Sequence, residues 1–365
     1  MRSETEFHDQ LGTRYTEFED ALDAVNPNET RQLWHTPTEL FRPHYAEAMA
    51  RYFVANYRIS SYPFEDLIIY ELGAGNGTFM VNVLDYIRET DPDVYARTKY
   101  KIIEISSTLA DLQNKTLTGT VESRGHADKV EIINKSILHW DTFVPSPCFV
   151  VCLEVIDNFG HDLVRYNRET KEAEQAVIMI DEDGDMYTTW RRQLDELTAR
   201  YIHAREAACD FAFPHPLSKR PKGLFPSKER RTYTDQEYIP TRLLQFLSVL
   251  QDFFPAHRLL LSDFHTLPDT ISPTILNAPV VQTRFRRRTI PVSTPLVRQG
   301  YFDVFFPTNF RVMEAMYRAV TGKLTRSMSH EEFMVRWADV EACMCQDGEI
   351  PLLSWYRNAS VMTTA

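Results

Sequence analysis

The residues best placed for chemistry form a hinge, Glu71-Leu72-Gly73-Ala74-Gly75-Asn76-Gly77, directly after the apolar run Leu67-Ile68-Ile69-Tyr70. Alternating glycines let a backbone turn sharply and approach a ligand with no Cβ in the way. The spacing is GxGxG, whereas the dinucleotide fingerprint is GxGxxG and would put its third glycine at Thr78. An acid two residues before the first glycine would repel a pyrophosphate. It suits S-adenosyl-L-methionine, which lacks phosphate and carries an ammonium and a sulfonium. A second acid, Glu104, ends the run Tyr100-Lys101-Ile102-Ile103, where a carboxylate can accept both hydroxyl protons of a ribose. The expected cofactor-binding residues are therefore Glu71, Gly73, Gly75, Gly77 and Glu104. The alternative is a degenerate turn of the same fold with no ligand.

The expected catalytic pair is Glu154 and Asp157, in Leu153-Glu154-Val155-Ile156-Asp157-Asn158 at the end of another apolar run. Two carboxylates suit a cationic acceptor, since guanidinium pairs with carboxylates in bidentate fashion and stays protonated near neutrality. Its nitrogens are poor nucleophiles, so catalysis must hold one in line with the methyl donor and disperse the developing charge. The competing reading is that either acid merely caps the following helix. Asp263 lines the same crevice or is an ordinary loop acid. Arg284, Arg286, Arg287 and Arg288 read as a solvated charge run, and Asp303-Val304-Phe305-Phe306-Pro307 as a sheet segment rather than a substrate groove. No His/Cys set has metal spacing, so no metal is expected, and methyl transfer from a sulfonium needs none.

These residues require a scaffold of alternating strands and helices. Strands are expected at 67–70, 100–103, 130–133, 149–153 and 258–263, with the helical stripe Met80, Val83, Leu84 and Ile87 between the first two. Such alternation gives a parallel sheet with ligands at its C-terminal edge. The expected class is α/β: a Rossmann-like methyltransferase sheet with a helical N-terminal addition and an inserted hairpin and loop region. The expected divisions are a helical segment over 1–60, a cofactor-binding half over 61–165 and an insertion over 166–240. The second half of the sheet follows over 241–325, then a helical segment over 326–365. The insertion contains a hairpin from Val177 to Trp190 turning at Asp183-Gly184, and a long loop from Phe211 to Asp235. Later strands are expected at 279–283 and 301–306. Residues up to Arg31 read as a loose segment. Thr36-Pro37-Thr38-Glu39 reads as a capping box, and Pro43 restarts the helix.

Composition narrows the partners. At 365 residues, 43% of them hydrophobic, the chain can bury one large catalytic domain with additions. A net charge of -11 disfavours general nucleic-acid binding. The odd set of five cysteines has no paired CxxC and reads as reduced structural thiols. No apolar stretch has the length of a membrane span, so no membrane insertion is expected. The acidic start is neither a secretory signal nor a transit peptide, which taken literally places the protein in the cytoplasm.

The combination resembles the MidA-like family, mitochondrial protein arginine methyltransferases that assist assembly of respiratory complex I. His35-Thr36-Pro37-Thr38-Glu39-Leu40-Phe41 is similar to the family's Thr/Ser-Pro-Glu segment. Glu71 to Thr78 resembles its glycine loop. Ile103-Glu104-Ile105-Ser106, followed by Leu109, Leu112 and Gln113, resembles its second strand and helix. Glu154-Val155-Ile156-Asp157 stands where the family has Glu-Phe-Phe-Asp, and Leu260 to Phe264 resembles its late Asp-Tyr strand. The resemblance implies symmetric dimethylation of an arginine on a complex I core subunit in the mitochondrial matrix. It also implies that Gly73, Gly75, Gly77 and Glu104 hold the cofactor while Glu154 and Asp157 face the substrate. The family follows its Glu-Phe-Phe-Asp with a small residue, Leu and Pro, where this chain reads Asn158-Phe159-Gly160. A non-catalytic assembly factor that keeps the cofactor site, and a methyltransferase acting on a small molecule or another residue type, are the alternatives.

Overall fold

The computed structural model describes residues 3, 5–7, 9–10, 36–118, 124–209, 215–219, 227–285 and 288–365. Most of the segment expected to be loose up to Arg31, His35, much of the loop expected over 211–235, and Arg286 and Arg287 lie outside the described residues.

The centre is a seven-stranded sheet built from β1 (Leu67–Leu72), β2 (Thr98–Glu104), β3 (Val130–Asn134), β4 (Cys148–Leu153), β9 (His257–Phe264), β13 (Thr325–Ser329) and β14 (Ala359–Thr364). Its order is β13-β14-β9-β4-β1-β2-β3, and β14 alone runs against its neighbours. The α/β Rossmann-like class expected from the sequence is the one observed. The inner strands read as near-continuous apolar runs because both faces are covered. Leu67 and Ile69 of β1 join one core with helices α1 (His44–Ser60), α2 (Thr78–Thr90) and α7 (His330–Trp337). Tyr70 and Leu72 join the other, with α4 (Glu196–Ala208), α5 (Thr241–Phe253) and α6 (Phe310–Thr321). The stripe Met80, Val83, Leu84 and Ile87 is fully buried on α2, each side chain contributing about 1.5–3 kcal/mol of apolar burial. One further helix, α3 (Ser107–Thr118), follows β2.

The segment over 326–365, expected to be helical, supplies α7 but also most of β13 and all of β14. The signal was hidden for two reasons. Val361 and Met362 of β14 are both buried, so no alternation shows, and β13 is a polar edge strand, Thr-Arg-Ser-Met-Ser. The strands expected at 279–283 and 301–306 exist as β10 (Val280–Phe285) and β12 (Asp303–Phe305). They form a separate antiparallel sheet with β11 (Arg288–Pro291). The expected hairpin is β6 (Ala173–Ile180) and β7 (Met186–Arg191). It is extended by β5 (Asp162–Tyr166) and β8 (Glu237–Ile239), so the inserted sheet starts ahead of residue 166. The capping box is half made. Thr36 Oγ1 accepts the Glu39 N–H, but the Glu39 carboxylate takes the Thr78 hydroxyl at 2.6 Å instead of reaching back. That hydroxyl opens α2, whose positive dipole end also draws the carboxylate.

Candidate active site

Chain direction switches at β1, which lies between β2 and β4, and the crevice outside such a switch is where this fold holds ligands. The glycine loop leaves β1 at that point. Gly73, Gly75 and Gly77 have φ of +65°, +52° and +78°, a region that costs other L-residues about 1–2 kcal/mol. The Gly77 N–H donates to the Ala74 carbonyl at 2.8 Å, closing the turn into α2. A Cβ on Gly73 would stand 3.4 Å from Val155 Cγ2, whereas one on Gly75 would meet nothing within 4 Å. The loop thus packs beneath Val155 at one end and borders open space at the other.

Glu71 is buried within β1 and accepts the Tyr100 hydroxyl at 2.7 Å. Burial, with some repulsion from Glu104, pushes its carboxyl up to about 8 despite that bond. The Glu71 side chain is therefore tied to the neighbouring strand. Glu104, at the end of β2, is buried and held on both oxygens. Oε1 accepts the Ser106 N–H at 2.9 Å and Oε2 accepts Gln113 Nε2 at 3.2 Å. Its backbone carbonyl accepts Asn134 Nδ2 at 2.8 Å. Ile105, the next residue, is 75% exposed and offers an apolar surface beside this carboxylate.

β4 and β9 bring a second group together. Glu154 follows β4 with φ +53°, a left-handed conformation rare outside glycine, and its N–H donates to the Ser262 carbonyl at 2.9 Å. The chain then forms a single 3₁₀ turn, Ile156–Asn158, for which neither Glu154 nor Asp157 acts as a side-chain cap. The acid that accepts the turn's N–H groups is Asp263: its Oδ2 takes Ile156 N at 3.1 Å and Asp157 N at 3.2 Å, while Oδ1 takes Phe264 N at 2.8 Å. Asp263, expected to line the crevice or to be an ordinary loop acid, belongs to the cluster, and what the sequence does not reveal is its hold on the N–H groups of this turn.

Electrostatically this corner gathers acids that raise one another. Burial, then the neighbouring Asp157, holds the Glu154 carboxyl well above the usual range. Burial pushes Asp157 up to about 7, with a further contribution from Asp303. Burial and the Asp157 and Glu154 charges push Asp263 upward, against the N–H groups that favour its anion. Asp157 Oδ1 is buried with no hydrogen-bond partner among the described residues. Tyr45 of α1 closes the corner, and burial followed by the Glu154 and Asp263 charges raises its hydroxyl too. The Asp157 carbonyl accepts the Phe306 N–H at 2.9 Å, so the segment after β12 is laced to this turn.

Residues 48–328 match the family model described as "Putative S-adenosyl-L-methionine-dependent methyltransferase". The chain belongs to this family. Two fungal proteins, each named protein arginine methyltransferase NDUFAF7 homolog, mitochondrial, are similar to it. The one from Schizosaccharomyces pombe is 25% identical over 88% of this chain and 70% of its own length. The one from Saccharomyces cerevisiae is 22% identical over 87% of this chain and 77% of its own. A Burkholderia thailandensis crystal structure bound to S-adenosyl-homocysteine shares the fold, with TM-score 0.58 at 15% identity over 90% of this chain and 78% of that one. A second, native structure from that bacterium gives 0.56 at 15% identity over 90% and 81%.

The cofactor of this methyltransferase family is S-adenosyl-L-methionine, and the residues at the switch point fit it. Space that a Cβ on Gly75 would fill is kept clear, and each Glu104 oxygen retains a lone pair after its one donor. Among the described residues no cluster of three or more His, Cys, Asp or Glu is arranged to hold a metal ion, and no helix is long and apolar enough to cross a membrane.

Proposed function

We propose that the protein methylates arginine in a protein substrate, with Glu154 and Asp157 as the residues that hold the guanidinium. The single observation carrying this reading is the buried Asp157 Oδ1, which has no partner among the described residues and lies beside the acids Glu154 and Asp263. A buried carboxylate is costly unless paired. A guanidinium supplies the missing charge and presents planar paired donors that match a carboxylate. The names of the two fungal relatives support the arginine acceptor and a mitochondrial setting. The MidA-like resemblance supports the finer reading, symmetric dimethylation on a complex I core subunit in the matrix.

In this reading Gly73, Gly75, Gly77 and Glu104 seat the cofactor, which supplies an electrophilic methyl group when bound. Glu71, tied to Tyr100 within the main sheet, would balance the cofactor's positive charge as an anion once that charge lowers its raised pKa. Glu154 and Asp157 enter the complex as anions, because a guanidinium lowers their raised pKa values. They orient one guanidinium nitrogen toward the methyl carbon. The Glu154 carboxylate would take the proton that the guanidinium nitrogen releases on methylation.

The test is incubation of the purified protein with labelled S-adenosyl-L-methionine and a mitochondrial extract, followed by mapping of the labelled residue. Label on arginine, abolished in Glu154→Gln, is expected. Label on another residue type overturns the acceptor. No label at all, with complex I assembly intact in cells carrying Glu154→Gln, means a non-catalytic assembly factor.

A further inference from the structure

Gln113 of α3 is the element the cofactor reading leaves unexplained. It is 1% exposed, near the middle of a helix on which Ala110 is also buried. Both amide protons are committed: Nε2 donates to the Gly75 carbonyl at 2.8 Å and to Glu104 Oε2 at 3.2 Å. The orientation of the amide follows from chemistry, because both neighbours accept only, and a flipped amide would set oxygen against oxygen. The price is a carbonyl oxygen, Oε1, buried with no partner among the described residues. An apolar side chain of similar volume would leave no orphan there, so packing alone does not account for this residue.

We propose that Gln113 is a positioning residue that clamps the glycine loop to the ribose-binding carboxylate, so that Gly75 and Glu104 are held in one geometry before the cofactor arrives. The proposal rests on the reading of Glu104 as the ribose acceptor. With Ser106 N on Oε1 and Gln113 on Oε2, the carboxylate is held at both oxygens, and each would keep a lone pair for a ribose hydroxyl. Fixing it in advance removes the cost of ordering a three-torsion side chain on binding. The Gly75 carbonyl is drawn toward α3 by the same amide. Because the peptide is planar, this directs the following N–H of Asn76 to the opposite side of the loop.

The experiment measures dissociation constants by calorimetry for S-adenosylhomocysteine and its 2′,3′-dideoxy analogue, with wild type, Gln113→Leu, Glu104→Gln and the double variant. Wild type should prefer the parent ligand strongly. Gln113→Leu should bind the parent about tenfold more weakly and the dideoxy analogue within about threefold of wild type. On the Glu104→Gln background, Gln113→Leu should cost little more. Equal weakening toward both ligands, or additive losses in the double variant, overturns the clamp and leaves a structural amide. Wild type that binds the parent but does not distinguish the dideoxy analogue overturns the Glu104 reading instead, and wild type that binds neither overturns the site. Should Gln113→Leu fail to fold, Gln113→His, which keeps one donor, must show the same selective loss.

Discussion

Asp263 Oδ2 accepts the backbone N–H of Asp157 at 3.2 Å, so one acid of the site fixes the chain that carries another. The same oxygen takes Ile156 N, and the other oxygen Phe264 N, which ties the end of β9 to the turn after β4. All three partners are donors, and alanine would leave them without an acceptor in a buried place. Asp263→Ala should therefore cost about 1–3 kcal/mol of stability and free the turn that aims Asp157. Turnover should fall at least about tenfold, since misplacement of an orienting group costs that much or more. Affinity for S-adenosylhomocysteine should stay within about threefold, because Asp263 touches none of the glycine loop. Chemical denaturation and calorimetry check these together, and unchanged turnover in a destabilised variant would show that Asp157 needs no such support.

For the pair itself, Asp157→Asn and Glu154→Gln should keep the fold and the cofactor affinity but lose different quantities. Glu154→Gln removes the proposed proton acceptor and should lower kcat about 100-fold or more with little change in KM. Asp157→Asn removes half of the proposed guanidinium clamp and should raise KM for the protein substrate as well as lower kcat. Steady-state kinetics on the mapped substrate separate the two, and wild-type kcat in Glu154→Gln would remove it from the chemistry.

The glycine loop gives a sharper contrast between neighbours. Gly75→Ala meets no atom within 4 Å, so its penalty in the apo-protein is the left-handed backbone alone, about 1–2 kcal/mol. Its methyl group enters the space proposed for the cofactor, and binding should drop by at least about 100-fold. Gly73→Ala carries the same backbone strain and brings its methyl only into ordinary contact with Val155, so it should destabilise the apo-protein about equally while costing less affinity. Thermal melts with and without S-adenosylhomocysteine read both effects. A Gly75→Ala protein with wild-type affinity would place the cofactor elsewhere.

Much of this arrangement is legible in the sequence because it is local. Gly73-Ala74-Gly75-Asn76-Gly77 fixes a turn after β1, and strand ends carry Glu104 and Glu154 to one edge because parallel topology allows nothing else. What cannot be read is long-range. Asp263 and Asp157 lie 106 positions apart, and only the pairing of β4 with β9 brings them together. Gln113 reaches Gly75 across 38 positions from a helix whose periodicity says nothing of a buried amide. Likewise β13 and β14 join the main sheet from the far end of the chain, where polar edge residues and a strand buried on both faces erase the period of two.

The raised acids also predict an unusual pH response. Glu71 is held up to about 8 and Asp157 up to about 7, against ordinary values of 4.5 and 3.8 that the unfolded chain should show. Between those limits the folded protein keeps protons that the unfolded chain has lost, so stability falls as pH rises and levels off above the folded values. Buried His161 and His257, both lowered to about 4, act the other way: their stabilisation is complete above about 6.5 and is lost as pH falls toward 4. From pH 6.5 to 8.5 the acids therefore dominate, each contributing up to about 1.4 kcal/mol per pH unit while it titrates. The Tm of the apo-protein should fall across that range, and Glu71→Gln, which has no proton to lose, should flatten the slope. A Tm that holds constant or rises from pH 6.5 to 8.5 would mean that these carboxylates are already ionised in the folded apo-protein, and the case for a corner waiting for a cation would fail with it.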